Sequence, residues 1–493
     1  MIHALEHHAR VQPRAIALTA AETSLTYAEL YQRVMALADF LAERDVRRLG
    51  ISVENGLDWI VADLAGMMSG IGLVPIPHYF TPAQVDHLLI SSQVDYLLSE
   101  TECSPTVGLF GAAIEQMSDQ APVKEPVKIT FTSGSTGAPK GVLLRHDKLF
   151  TIAQSIVQMM EQLDICKHLC VLPLATLLEN IAGVYAPLAK GIEICVPNGA
   201  EVGLAGSSGL DPTRFAACIN QNRPESMILV PQLLLATVTL TELGMTNPEH
   251  LKMVAVGGGK VAENLIDKAS ALKIPVYQGY GLSEAGSVVT LNLPGEQRAG
   301  SVGKALSHAS IRVSEEGELE VSGALMEGYL GAKRLGDWLP TGDLGSIDKD
   351  GFVYITGRIK NTFITSYGRN VHPEWVEAEF SQFPAVGQCL FYGEARDENL
   401  LLVWPRFPID PATLKEMTSK VNEGLPDYAR IHHVTVIEQP ISEELVSANG
   451  RLKRREVICQ YRTDIENKYH GKTLVDTPVD TPVDTSGVAV NVL

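Results

Sequence analysis

ITFTSGSTGAPKGV, residues 129–142, decides how this chain is read. An apolar strand ends at Phe131, and Thr132, Ser133, Ser135 and Thr136 then supply hydroxyls in quick succession. Gly134 and Gly137 let backbone N–H groups come close to an anion, and Lys140 adds a point charge. The combination is built to hold phosphate. It is not a Walker A loop, which puts Gly directly before its Lys and Ser or Thr directly after. Here Pro139 precedes Lys140 and Gly141 follows. A flexible Ser/Gly linker has no reason to lie between an apolar strand and the GVLL run that comes next.

The 493 residues around this loop are 45% apolar, enough for a large core, and carry 40 basic against 58 acidic side chains for a net charge of −18. Such a chain is a poor partner for nucleic acid or for anionic lipid. The seven cysteines are scattered and odd in number, too few for a disulfide scaffold, so a reducing cytoplasm is expected. MIHALEHHARVQPR lacks a basic start followed by an apolar stretch, and no later run approaches the ~18 apolar residues of a membrane span. Neither a secretion signal nor a span is expected.

Short β-branched runs alternate with helical periodicity, the pattern of α/β layers with parallel sheets. In residues 26–44, Leu30, Val34, Leu37 and Leu41 recur at spacings of three and four and predict an amphipathic helix. Strands are predicted at 128–132, 170–174, 192–196, 226–230, 253–256 and 275–278. From Ala309 the texture changes to IRVSEEGELEVSG and GSIDKDGFVYITG, two hairpin signals that predict a small antiparallel layer. After Gly357 about 110 residues with their own mixed pattern are long enough for a separate domain. The repeated Val-Asp-Thr-Pro unit near the end predicts a disordered tail over 471–493. Cys166 and Cys170 lack a second ligand pair at zinc spacing, and the His7–His8 and His432–His433 pairs read as surface or edge-strand residues rather than ligands.

The 129–142 segment resembles the phosphate loop of the adenylate-forming superfamily, which holds acyl-CoA synthetases, peptide-synthetase adenylation domains and luciferase. Further motifs follow in the family's order. Tyr280-Gly281-Leu282-Ser283-Glu284 is similar to its Tyr-Gly-x-Thr-Glu motif; GELEVSG (317–323) with Gly328-Tyr329 is similar to the strand pair that comes next; Thr341-Gly342-Asp343 and then Gly357-Arg358 resemble the ribose motif and the hinge. The resemblance covers roughly residues 10–460 and implies a large N-terminal domain, 1–357, of layered α/β subdomains with a small β-rich layer. A smaller, mobile α+β domain, 358–470, would pivot at Lys360.

The implied chemistry joins a carboxylic acid to the α-phosphorus of ATP, making an acyl-adenylate, and then passes the acyl group to a thiol of CoA or of phosphopantetheine on an acyl carrier protein. Two anions must meet, so charge neutralisation and positioning are the main work. By resemblance, Thr132 to Gly137 and Lys140 hold the β- and γ-phosphates, and Glu284 holds Mg²⁺. Tyr280, between Gly279 and Gly281 and followed by Ser283, stacks on adenine; Asp343 accepts from the ribose hydroxyls and Arg358 contacts the ribose. Gly258, Gly259 and Lys260 line the adenine and acyl site. Thr176, Glu179, Val256 and Val288 are expected at the acyl pocket, and Arg369 matches a basic family position.

The family's C-terminal Gly-Lys-x-x-Arg, whose Lys reaches the α-phosphate, is here Gly450-Arg451-Leu452-Lys453-Arg454. Arginine keeps the charge on a planar fork of different reach. Arg451 does the work, or Lys453 does it after a register shift, or the protein mainly uses a supplied adenylate. The stretch 172–183 has no Asp to hold an α-ammonium, which favours a fatty or aryl acid over an amino acid. An adenylate-dependent amide or ester synthetase and a catalytically impaired nucleotide-binding protein are the alternatives.

Overall fold

The computed structural model describes residues 1–101, 104–118, 122–132, 139–206, 209–334, 336–447 and 450–469. Ser133, Gly134, Ser135, Thr136 and Gly137, and the tail from 471, therefore lie outside the described residues.

The helix expected at 26–44 runs Tyr27–Glu43. Thr26 caps it by accepting from the Glu29 N–H, and Glu29 reaches back to the Thr26 N–H at 2.8 Å, so two orphan donors are satisfied reciprocally. Leu30, Val34, Leu37 and Leu41 all fall on its buried face. Two large sheets share the N-terminal region. In the nine-stranded one, Ile16–Ala20, Glu193–Cys195, Lys167–Leu169, Ser226–Leu229, Met253–Val256 and Val276–Tyr280 lie side by side and parallel. In the eight-stranded one, Tyr96–Glu100, Arg48–Ser52, Gly72–Pro75 and Val127–Thr132 are parallel, and Lys140–Arg145 returns antiparallel to Val127–Thr132. Their continuous apolar runs, covered by helices, are what buried parallel strands require.

One strand differs from expectation. The run predicted at 170–174 is paired as Lys167–Leu169 instead. Cys170 adds one last hydrogen bond, to the Cys195 carbonyl, and the chain then turns away toward Pro173, which has no N–H to give a ladder.

The hairpin signals after Ala309 form one antiparallel sheet of Ala309–Val313, Glu318–Gly323, Leu339–Ile347 and Val353–Arg358. Beyond it, Val386–Tyr392 pairs antiparallel with Asn399–Pro405, which pairs parallel with Ile431–Val436. Two hydrophobic clusters on either side of this sheet have their buried members drawn only from residues after 360. The architecture is mixed α/β, with a large N-terminal domain and a smaller C-terminal one. Among the described residues no helix is long and apolar enough to cross a membrane.

Thr26→Ala removes the cap oxygen and is expected to lower unfolding stability by about 1 kcal/mol in urea denaturation. A midpoint unchanged from the wild type would show that the helix is held by packing alone.

Candidate active site

Two strand ends and a turn build the centre of the site. Asp343 sits in Leu339–Ile347, directly across the ladder from Arg358 at the end of Val353–Arg358. Thr341 holds the approach: its hydroxyl donates to the Leu319 carbonyl at 2.7 Å and accepts from the Asp343 N–H at 3.1 Å. Tyr280 closes the parallel strand Val276–Tyr280. Its phenol donates to Asp343 Oδ2 at 2.8 Å, while Arg358 Nε donates to Asp343 Oδ1 at 2.8 Å. Burial raises the Asp343 carboxyl above its usual range, and Arg358 and Tyr280 oppose that rise. The three ribose and adenine candidates thus form one unit. Gly281 follows because a Cβ there would stand 1.7 Å from the Ser287 carbonyl.

A second group lies toward the phosphate loop. Thr132 and Lys140, which flank the loop, are ladder partners. The short strand Gly328–Tyr329 pairs with Lys140–Arg145 and sets Tyr329 opposite Val142. The Lys140 ammonium stands 5.5 Å from the Tyr329 ring centre, and the Tyr329 phenol donates to Glu284 Oε1 at 2.9 Å. Burial, with the Glu284 carboxylate beside it, pushes that phenol up to about 12, so it stays a donor at neutral pH. Glu284 sits on the tight turn Ser283–Ala285. Tyr329 was visible in the sequence only as part of a strand pair; its register against the loop strand is what makes it part of the site.

The C-terminal domain contributes Arg451. Its loop is tied by the Ser447 hydroxyl, which accepts from the Arg451 N–H and donates to the Arg451 carbonyl. The guanidinium is reachable by solvent but crowded between the domains, where it faces Arg358, Asp343 and Glu374. That desolvation, together with repulsion from Arg358, lowers its pKa from the ordinary guanidinium value; Asp343 and Glu374 pull the other way. Lys453 is not brought to the site: its ammonium donates to the Glu444 carbonyl at 2.9 Å within its own domain. Arg454 is likewise spent internally, on Glu377 and on the Phe391 carbonyl.

Lys360 lies in the turn that follows Val353–Arg358, where Ile359 N–H still bonds the Gly342 carbonyl and Thr362 folds back onto Arg358. Lys260 is exposed after Gly258 and Gly259 and faces Glu374 and Glu379 of the C-terminal domain, with Glu263 also near. Arg369 lies in the exposed turn between Phe363–Ile364 and Asn370–Val371.

The acyl-pocket candidates divide. Thr176 is half-buried and hydrogen-bonded to Tyr79. Leu178, which the sequence did not single out, reaches the glycine loop: a Cβ on Gly257 would meet it at 3.8 Å. Val256 and Val288 are buried in separate clusters. Glu179 departs from expectation. It is fully buried and turned into the core, where it accepts from the Leu172 N–H at 3.0 Å and lies 3.3 Å from His168 Nε2. An apolar acyl wall gains nothing from a carboxylate, and this one is already occupied. His168, Cys170 and Glu179 place one ligand atom each within 4.8 Å of one another, yet those hydrogen bonds account for the cluster without a cation.

The candidate centre lies where the large α/β domain meets the small C-terminal domain. The pattern of the family described as AMP-binding enzyme matches residues 5–331, and that of the AMP-binding enzyme C-terminal domain matches 360–473. The chain belongs to the AMP-binding enzyme family. It is 28% identical over 428 residues to feruloyl-CoA synthase of Amycolatopsis sp, covering 78% of this chain and 84% of that one. It is 26% identical to 2-succinylbenzoate–CoA ligase of Bacillus subtilis (strain 168), covering 86% and 91%. Among solved structures, an anthranilate CoA ligase in complex with anthranoyl-AMP aligns with a TM-score of 0.79 at 18% identity, over 94% of this chain and 98% of that one. The o-succinylbenzoate CoA synthetase of Bacillus subtilis with ATP and magnesium ion aligns at 0.73 and 22%, over 92% and 98%.

Arg451→Ala is expected to cut acid-dependent ATP–pyrophosphate exchange by roughly 10² or more while sparing thiol attack on supplied acyl-adenylate, and Lys453→Ala to stay within a few-fold of wild type. A defect that follows Lys453 instead would mean that the loop works in another register.

Proposed function

We propose that this chain is an AMP-forming acid–thiol ligase that joins a carboxylic acid to the α-phosphorus of ATP, releasing pyrophosphate, and transfers the acyl group of the resulting acyl-adenylate to the thiol of coenzyme A, releasing AMP. The observation that carries this reading is the unit in which Tyr280 and Arg358 each hold one oxygen of Asp343 at 2.8 Å, with the Arg451 guanidinium of the small domain close enough to act on Asp343 and Arg358 by its charge. Asp343, with Tyr280 and Arg358 on its two oxygens, has lone pairs left for ribose hydroxyls. The ring of Tyr280 offers a face for adenine. Lys140 would meet the outer phosphates from one side of the loop.

Glu284 suits a magnesium ion, which takes one or two carboxylates and fills its remaining positions with phosphate oxygens and water. Its carboxylate is on a turn and oriented by Tyr329, whose ring centre lies 5.5 Å from the Lys140 ammonium. The ion would supply charge neutralisation at the phosphates. With the phosphate charge offset by Lys140 and Arg451, the acid's carboxylate can approach the α-phosphorus with less repulsion. In the second half-reaction the small domain turns about Lys360, taking Arg451 away and bringing the exposed turn of Ile364, Tyr367 and Arg369 toward the site.

The acid is a fatty or aryl acid, with Thr176, Leu178 and Val256 nearest its chain. The absence of an Asp from 172–183 supports this over a free amino acid, as do relatives named for feruloyl and succinylbenzoate substrates. Coenzyme A is favoured over a carrier protein because much of the basic run 451–455 is engaged: Lys453 and Arg454 bond their own domain. The cysteines among the described residues are unbridged, in keeping with a reducing cytoplasm.

A pyrophosphate-exchange screen over aryl and fatty acids, followed by trapping with coenzyme A or with a loaded carrier protein, tests the reading. Exchange with at least one acid and release of its CoA thioester are expected; no exchange with any acid would leave a catalytically impaired nucleotide binder. Lys140→Ala and Glu284→Ala should each slow exchange by roughly 10², the ~3 kcal/mol typical of removing a positioned charge. Lys360→Pro, which fixes φ at the pivot, should depress thioester formation far more than exchange. Equal loss in both half-reactions would place the swing elsewhere.

A further inference from the structure

Lys128 is fully buried on Val127–Thr132, the strand that leads into the phosphate loop. Its ammonium donates to the Tyr185 hydroxyl at 2.7 Å and to Asn180 Oδ1, and forms an ion pair with Asp63 Oδ1 at 2.6 Å. The circuit closes on the other carboxylate oxygen. Asp63 Oδ2 accepts from the Tyr185 hydroxyl at 2.6 Å and from Asn180 Nδ2 at 3.1 Å. The rings of Tyr185 and Trp59 lie 4.9 and 5.5 Å from the ammonium. His146 is buried beside this circuit, and burial, with the Lys128 charge, holds it down to about 4, so it adds no second cation at neutral pH.

Asn180 and Tyr185 both belong to Glu179–Tyr185, a stretch wound as a π-helix. Such windings are rare and mark functional sites more often than chance. This one begins one residue after Leu178 and three after Thr176, the wall candidates of the acyl site. Glu179 pins its first turn to Leu172 and His168, and Gly183 is bare because a Cβ there would stand 2.2 Å from Glu179 Oε1. The π-helix is thereby bolted on one flank to the nine-stranded sheet through His168 and on the other to the phosphate-loop strand through Lys128.

A buried ion pair adds little stability over apolar residues of the same shape; its best-attested use is to select one register. We propose that Lys128 is a positioning residue for acid activation, holding the π-helix in the register that sets the acyl wall at a fixed place relative to the phosphate loop. The functional half of this proposal rests on the adenylate-forming reading above; the structural half does not.

The test uses Lys128→Met with Asp63→Leu, which removes both charges together and leaves neither unpaired, and Tyr185→Phe, which removes one hydroxyl. Three quantities are measured in the full-length chain: thermal midpoint, amide hydrogen exchange over 179–185, and KM for acid and for ATP in pyrophosphate exchange. In the double variant, exchange over 179–185 should quicken at least tenfold while the 167–169 strand stays protected. KM for the acid should rise at least tenfold with KM for ATP within about twofold, and discrimination between a preferred acid and a longer homologue should fall. Tyr185→Phe should shift the same quantities less. A lowered midpoint with unchanged 179–185 protection, or with KM values and acid preference unaltered, would overturn the proposal and leave Lys128 as core structure. A wild type inactive with every acid would overturn the ligase reading, and protection of 179–185 would then decide the register claim alone. Should the double variant fail to fold, Tyr185→Phe carries the same comparison.

Discussion

The carboxylate of Asp343 is the point on which the site depends. Ladder register puts it across from Arg358, and the end of a parallel strand brings Tyr280 to its other oxygen. A buried carboxylate without partners would protonate; with a guanidinium on one side and a phenol on the other it keeps an ordered geometry in a low-dielectric pocket. Because Tyr280 comes from the nine-stranded sheet and Asp343 and Arg358 from the antiparallel layer, this one carboxylate also joins two sheets. Arg451, arriving from the small domain, is drawn by the same charge. Across the seam Asp343 attracts this guanidinium and Arg358 repels it, while Glu374 attracts it from within its own domain.

Much of this was legible in sequence because the physics is local. Leu30, Val34, Leu37 and Leu41 announce a helix by spacing, and Thr26 with Glu29 marks its start. The motifs around Tyr280, Glu284, Asp343 and Arg358 were readable by resemblance because each is a short contiguous run of residues. What escaped depends on pairing over long distances. Tyr329 belongs to the site only through its register against Lys140–Arg145. Lys128 in VKITF looks like the polar position of an edge strand, and nothing nearby in sequence discloses that Asp63, Asn180 and Tyr185 surround it. Glu179 is expected at the acyl pocket only by resemblance; a π-helix leaves no periodic signature that would show its side chain turned inward.

The basic run near the C-terminus illustrates how geometry separates residues that composition leaves equivalent. Arg451, Lys453 and Arg454 lie within four positions, yet the hydrogen bonds of Arg451 to Ser447 leave its guanidinium facing Asp343 and Arg358, while the others are directed to Glu444 and Glu377. Arginine at the position the wider family fills with lysine changes reach and shape while conserving charge.

The affinity for AMP, measured by isothermal titration for the wild type and for Asp343→Asn, tests the central claim most directly. The substitution keeps the volume and removes the charge that holds Arg358 and attracts Arg451. Charge-assisted hydrogen bonds of this kind are worth about 1.5–3 kcal/mol, so AMP should bind roughly 10- to 10²-fold more weakly with the thermal midpoint little changed. An affinity equal to that of the wild type would contradict the account, because it would mean that the nucleotide is held without the carboxylate around which this site is built.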